Sequence, residues 1–293
     1  MIVARTIAEA RVALRELPRP LGFTPTMGAL HEGHLSLADA ARARCAAVAA
    51  SIFVTPTQFG RGEDLEKYPR DEGRDFVLFE ERGVDVVFAP EADEMYPDGF
   101  ATQVHVGGPL TEHFEGASRP GHFDGVAVIV AKLLGVVQPD VLFLGQKDAQ
   151  QLAIVRRLAR DLDLPVDVEA VPTVREPDGL AMSSRNAYLT PGQRAAAPDL
   201  YKALLVGAVA AESGEPGDDV VAVTAMALLA NPEDHTPLDI EYIAVVDGGS
   251  FEHLHQTVGP RALLIAAASL GPTRLIDNIS LTTSAYPAED ATT

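Results

Sequence analysis

Phe23-Thr24-Pro25-Thr26-Met27-Gly28-Ala29-Leu30-His31-Glu32-Gly33-His34-Leu35-Ser36-Leu37 is the stretch whose reading decides the fold. Leu21-Gly22-Phe23 reads as the end of a strand, and Leu35, Leu37, Ala38 and Ala41 begin a helical apolar spacing. Between them lies a strand-to-helix turn containing Gly28 and Gly33, where backbone can approach a ligand closely. Free amides at the start of a helix, with the positive end of its dipole, favour phosphate. His31 and His34 lie three apart, so they share a face as the chain enters the helix. Two imidazoles on an anion-accepting turn point to nucleotide chemistry, although the same spacing suits two zinc ligands or plain polar surface. Zinc asks for about two further ligands, and the sole cysteine, Cys45, has no second thiol near it.

Outward from this turn, strand and helix patterns alternate. A helix is expected over 34–44, and then a β-rich apolar run over 46–54 that ends in Thr55-Pro56-Thr57-Gln58-Phe59-Gly60. A helix over 71–82 stops at Gly83, with strands over 84–89 and 102–106 and a buried helix over 124–137. The strand 140–144 feeds Gly145-Gln146-Lys147-Asp148, and the helix that follows carries Leu152, Val155, Leu158 and Leu162 on one side. A strand over 166–171 closes the series. Such repetition with short connections implies a parallel sheet covered on both faces, with ligands at the carboxyl ends of its strands. His31 and His34, Thr55 and Gln58, and Lys147, Asp148 and Gln151 each follow an expected strand end.

Past Pro172-Thr173-Val174-Arg175 the pattern changes. A turn at Glu176-Pro177-Asp178-Gly179 leads to Met182-Ser183-Ser184-Arg185-Asn186, helices over 191–213 and 218–230, and strands over 240–246, 262–267 and 274–281. Helices followed by antiparallel-looking strands describe a smaller α+β domain. The expected boundaries are 1–173, 174–283 and a loose tail at 284–293 without periodicity.

The 293 residues are 47% hydrophobic and 22% charged, which is enough apolar content for a sizeable core. The longest apolar run, 125–137, is interrupted by Lys132 and suits a buried helix rather than a membrane span. Residues 1–5 lack a signal-peptide core, a lone cysteine allows no intrachain disulfide, and the cytoplasm is the expected compartment. A formal charge of −19 argues against nucleic acid as a partner, because phosphate backbones demand a basic footprint. It also makes each cation near a turn more informative, and Lys67, Lys132, Lys147 and Lys202 are the only lysines.

Lys147, directly after a strand, can reach phosphates, though most lysines are simply solvated. Asp148 can cap the next helix or bind a ribose diol. Met182-Ser183-Ser184-Arg185 offers two hydroxyls and a guanidinium able to clamp a phosphate, or else a polar loop between domains. Gln58 and Gln151 are neutral amide donors suited to a hydroxylated acid.

Taken together, Pro25 to His34, Gln58-Phe59, Tyr68-Pro69-Arg70, Gly145-Gln146-Lys147-Asp148 with Gln150-Gln151, Pro172 to Glu176, Met182 to Asn186 and Asp277-Asn278-Ile279 resemble the pantothenate synthetase family. The resemblance runs to about Leu281, and the His-x-Gly-His stretch also marks the wider nucleotidyltransferase superfamily. It implies a Rossmann-like doubly wound parallel sheet with a second, smaller α+β domain. It further implies an ATP-dependent ligase that joins pantoate to β-alanine through pantoyl adenylate. ATP contacts are implied at Met27, Gly28, His31, Gly33, His34, Gly145, Lys147, Asp148, Val174, Met182, Ser183, Ser184 and Arg185. The resemblance also implies that His34, Lys147 and Arg185 carry the chemistry, that Gln58 and Gln151 contact pantoate, that Mg2+ travels with ATP and that the chain pairs as a homodimer. No resident metal site is expected.

One departure stands out. Thr55 occupies the place of an asparagine that touches pantoate in the family, and it lacks the amide's reach and its two N–H donors. Two alternatives therefore stay open, a paralogous amide ligase for another hydroxy acid and a nucleotidylyltransferase that stops at a dinucleotide.

Overall fold

Burial on both faces decides which strands sit at the centre of the first sheet. β2 (Leu21–Thr26) and β3 (Ala47–Ile52) are buried almost throughout, as parallel strands under two layers of helix must be. The computed structural model describes residues 1–58, 68–230, 236–256 and 258–281, so Phe59, Lys67 and the expected tail at 284–293 lie outside the described residues.

With β1 (Ile2–Ala4), β4 (Val86–Phe88), β5 (Val141–Gly145) and β6 (Asp167–Val171), these strands form a six-stranded sheet in the order β1-β4-β3-β2-β5-β6. Every pairing in it is parallel. The chain runs outward from β2 through β3 to β4, then returns to add β5 and β6 on the other side of β2. The order therefore reverses between β2 and β5, and a crevice at the carboxyl ends of these two strands is where a doubly wound sheet accepts ligand. Thr26 ends β2 and Gly145 ends β5.

The helix Glu32–Arg44 buries Leu35, Leu37, Ala38 and Ala41, the four positions picked out by the helical spacing. They pack with Val48, Phe79, Val87 and Phe143 in one continuous core. Each large apolar side chain buried there stabilises the fold by about 1.5–3 kcal/mol. The helix His122–Val137 is apolar nearly all round and is buried accordingly.

The chain divides into two compact units, Met1–Gln146 with Ile154–Val171, and Lys147–Ala153 with the chain from Pro172 onward. The segment Lys147–Ala153, which the sequence pattern leaves in the first domain, groups with the second unit. The second unit holds β7 (Asp239–Asp247), β8 (Ala262–Leu270) and β9 (Thr273–Ser280) as an antiparallel sheet. The helices Asp199–Glu212 and Gly217–Leu229 contribute Leu200, Leu204 and Val220 to a core shared with Leu264 and Ala266. No helix among the described residues is long and apolar enough to cross a membrane.

Two expectations need correction, and one region adds elements beyond them. Residues 102–106 form no strand: Val104 and Val106 alternate with polar neighbours but are only half-buried and join no ladder. The helix expected over 191–213 is two helices, Pro191–Ala196 and Asp199–Glu212, interrupted at Pro198, which has no N–H to continue the first. At the N-terminus, β1 and the helix Ile7–Arg15 add to the α/β pattern, the helix opened by a capping box between Thr6 and Glu9.

Candidate active site

The turn that follows β2 is held from within. The Thr26 hydroxyl donates to the Ser51 carbonyl at 2.7 Å and accepts from the Gly28 N–H at 3.3 Å. Gly28 and Ala29 both take left-handed backbone, with φ of +83° and +52°, a conformation that favours glycine and strains alanine. The Ala29 and Leu30 amides then donate to the two carboxylate oxygens of Asp75, at 2.8 and 2.9 Å. Asp75 is only 1% exposed, and burial pushes its carboxyl up against the opposing pull of the two amides and of Arg74. Arg74 closes the other side of the turn by donating to the Leu30 carbonyl at 3.0 Å.

His31 caps the helix Glu32–Arg44, its Nδ1 accepting from the Gly33 N–H at 3.1 Å. The imidazole therefore carries no proton on Nδ1, and its Nε2 faces away from the cap. His31 and His34 stack with ring centroids 4.1 Å apart and planes 29° from parallel. Both are half-buried, so the shared face read from their spacing is a physical ring pair. Of the amides at the start of this helix, that of Gly33 is engaged by His31, and just before it those of Ala29 and Leu30 are engaged by Asp75.

The turn after β3 has its own supports. Thr55 is 3% exposed and its hydroxyl turns to the Phe53 carbonyl at 3.4 Å. The Gln58 carbonyl accepts from His122 Nδ1 at 2.8 Å and from Arg119 at 3.2 Å, while Arg119 also meets His122 Nε2 at 2.9 Å. A carbonyl only accepts and a guanidinium only donates, so these contacts select neutral His122 with its proton on Nδ1. Gly125 lets the helix His122–Val137 come this close, since a β-carbon there would sit 2.0 Å from the Thr57 carbonyl oxygen. Sequence reading missed Arg119, His122 and Gly125 as supports for Gln58. Pro120 and Gly121 beside them mark a helix start, but nothing local points to a partner 64 residues away.

In the second unit, Lys147 lies in the short 3-10 turn Gln146–Asp148, and its ammonium stands 3.6 Å from the Asp148 carboxylate. The Lys147 carbonyl accepts from the Asn278 side chain on β9 at 2.9 Å. Its neighbour Asp277 grips Arg175 with two hydrogen bonds of 2.5 and 2.9 Å, and the Arg175 guanidinium lies 3.6 Å from the Tyr201 ring centroid. Burial pushes the Asp277 carboxyl up while Arg175 pulls it down. Gln151 is half-buried in the helix Ala149–Asp161.

The structure pairs Val174 with Met182, whose N–H donates to the Val174 carbonyl at 3.0 Å, and Arg175 bridges Ala181. Ser183 caps the turn Ser184–Tyr188 by accepting from the Arg185 N–H at 3.3 Å. Below this segment Asn186 donates to Glu176 at 3.0 Å and to the Ala181 carbonyl at 3.1 Å. Arg194 forks between Glu176 and Asp178 at 2.5 and 2.6 Å. Thus Met27, Gly28, His31, Gly33, His34, Thr55, Gln58 and Gly145 belong to the first unit. Lys147, Asp148, Gln151, Val174 and Met182 to Arg185 belong to the second.

The family model described as pantoate-beta-alanine ligase matches residues 2–280. A pantothenate synthetase of Chloroflexus aggregans is 52% identical over 279 residues, which span 95% of this chain and 99% of that protein. The crystal structure of pantothenate synthetase from Thermus thermophilus superposes with a TM-score of 0.90 at 49% identity, covering 98% of this chain and 100% of that one. The pantoate-beta-alanine ligase of Francisella tularensis, crystallised with beta-gamma ATP and beta-alanine, gives a TM-score of 0.77 at 31% identity, covering 97% and 99% of the two chains.

Proposed function

The chain belongs to the pantoate-beta-alanine ligase family, and from that premise we propose that it joins pantoate to β-alanine through a pantoyl adenylate. A carboxylate oxygen of pantoate attacks the α-phosphorus of ATP, and the bond to pyrophosphate breaks. The β-alanine amine then attacks the acyl carbon, AMP leaves, and the amine gives up a proton to become the amide nitrogen. The stacked His31–His34 pair, just past the end of β2 at the reversal of strand order, is the observation that carries this reading.

Adenylation gathers negative charge on a pentacoordinate phosphorus, and fixed donors aimed there lower its energy most. His34 takes that role, with Lys147 and Arg185 as the cations for the phosphates. Met27, Gly28, His31, Gly33, Gly145, Asp148, Val174, Met182, Ser183 and Ser184 complete the ATP contacts. Mg2+ arrives with the ATP phosphates as part of the substrate. Gln58 and Gln151 bind pantoate through their amides, and the support given to the Gln58 backbone by Arg119 and His122 favours this assignment. The chain works in the cytoplasm as a homodimer.

Pantoate-dependent exchange of labelled pyrophosphate into ATP, without β-alanine, tests this reading across a panel of hydroxy acids. Pantoate is expected to support the fastest exchange, and robust exchange with another acid but none with pantoate would overturn the choice of substrate. Because the Thr55 hydroxyl faces Phe53 rather than replacing an amide's reach, Thr55→Asn should tighten pantoate by roughly one hydrogen bond, about 1 kcal/mol. Unchanged pantoate binding in that variant would remove position 55 from the substrate contacts.

A further inference from the structure

Asp75 sits on the helix Glu72–Glu81 and is not itself among the proposed ATP and pantoate contacts, yet both its carboxylate oxygens serve the turn that carries the histidines. It is almost wholly buried, and the guanidinium beside it, Arg74, stands 3.9 Å off. A buried carboxylate whose two oxygens are given to two successive backbone amides is costly to place unless those amides must be held. The amides belong to Ala29 and Leu30, immediately after left-handed Gly28 and within a turn whose Ala29 is itself left-handed. Successive N–H groups in such a conformation form a concave anion receptor. In this chain the anion it receives is the chain's own carboxylate. Left-handed backbone at a residue with a side chain persists where its surroundings over-determine it, and Asp75 and Arg74 do so from the two sides of Leu30. The next residue is His31, whose ring caps the helix and stacks on His34.

We propose that Asp75 is a positioning residue for adenylation: by holding the Ala29 and Leu30 amides it fixes the left-handed turn and, through it, the stacked imidazoles of His31 and His34. The inference rests on the reaction proposed above. It also means that the triphosphate is met by side chains and other groups rather than by these two amides, which are already engaged.

Asp75→Asn keeps the shape and one acceptor oxygen but sets an amide NH2 against a backbone N–H. Wild type and variant are compared by pantoate-dependent pyrophosphate exchange, by the KM for β-alanine in the full reaction, and by hydrogen exchange across 27–35. The variant is expected to lose about 10- to 100-fold in the adenylation rate, as small misplacements of catalytic groups do. Amide exchange should rise at 27–35 while the second unit is unaffected, and the KM for β-alanine should be unchanged. Wild-type adenylation and wild-type protection at 27–35 would overturn the proposal, as would a loss of rate that only tracks the folded fraction measured by circular dichroism.

If Asp75→Asn does not fold, Arg74→Ala probes the same turn from a half-exposed side chain. It should slow adenylation severalfold with the melting temperature nearly kept, and wild-type rate and protection in this variant would contradict the proposal. If wild type itself shows no exchange with pantoate, the proposed reaction fails, and protection at 27–35 alone decides whether Asp75 holds the turn.

Discussion

The turn after β2 and the segment Met182 to Arg185 are assigned to the same nucleotide, but the chain builds them in opposite ways. In the first, a buried carboxylate and a neighbouring guanidinium hold the Ala29 and Leu30 backbone between the proposed contact residues, and a capping imidazole holds that of Gly33. In the second, Arg194, Glu176, Asp178 and Asn186 interlock beside the segment, and Met182 to Arg185 are half-buried. Donors that stabilise a transition state act best when their geometry is set before the reaction. A segment that must admit ATP and then shield a water-sensitive mixed anhydride needs a firm root and a compliant tip. Under the proposed function, placement of the reacting groups falls to the first region and shielding of the nucleotide to the second.

The largest effect should come from the first region. His34→Ala removes a ring on which the proposed charge stabilisation rests, and such losses cost a factor of about 10² to 10³ in rate. Because His34 is half-buried rather than core, the melting temperature should stay close to wild type. Pyrophosphate exchange within a fewfold of wild type would show that the turn is scaffold and not machinery.

A smaller effect, and a sharper contrast, is expected from hydrogen exchange with and without ATP and Mg2+. Segments whose hydrogen bonds are exposed open locally at low free-energy cost, whereas buried ones do not. Residues 182–185 should gain protection on nucleotide binding, while 28–30 should be protected in both states. Equal protection of 182–185 in both states would remove the lid from the account.

The smallest effect concerns the root of that segment. The Arg194 hydrogen bond, helped by the Leu180 amide and the Arg194 charge, holds the Asp178 carboxyl below its ordinary value of 3.8 against the opposing effect of burial. A depressed carboxyl contributes stability above its unfolded value, and loses it as the pH falls through the lower folded one. Asp178→Asn should therefore lower the melting temperature slightly at neutral pH, within the roughly 0–1 kcal/mol of an exposed pair. The gap should close in strong acid; a gap that widened there would reverse the assigned sign.

Local pattern sufficed where the decisive contacts are local. The apolar face of Leu35, Leu37, Ala38 and Ala41 and the shared face of His31 and His34 depend on spacing within a few residues, whereas the strand expected to end at Phe23 begins at Leu21 and runs to Thr26. The alternation of Val104 and Val106 misled because a period of two shows which residues share a face, not whether a sheet edge awaits them. What holds the site was hidden for a different reason. Asp75 meets Leu30 across 45 residues, His122 meets Gln58 across 64, and Asn278 meets Lys147 across 131. In sequence an aspartate four positions into a helix looks like a surface charge, and only the folded chain shows that it is buried against two amides. Family resemblance brought in Asp277 and Asn278 as part of a motif, and the structure supplies their work, gripping Arg175 and the Lys147 carbonyl.

The central claim is that the acid is activated by transfer of AMP to its carboxylate. Pantoate labelled with heavy oxygen in the carboxylate, taken through one complete reaction with ATP and β-alanine, tests it most directly, with AMP analysed by mass spectrometry. Attack of a carboxylate oxygen on the α-phosphorus, followed by cleavage at the acyl carbon, must leave one labelled oxygen in AMP. The account predicts that label. Unlabelled AMP, or label found in inorganic phosphate, would contradict it.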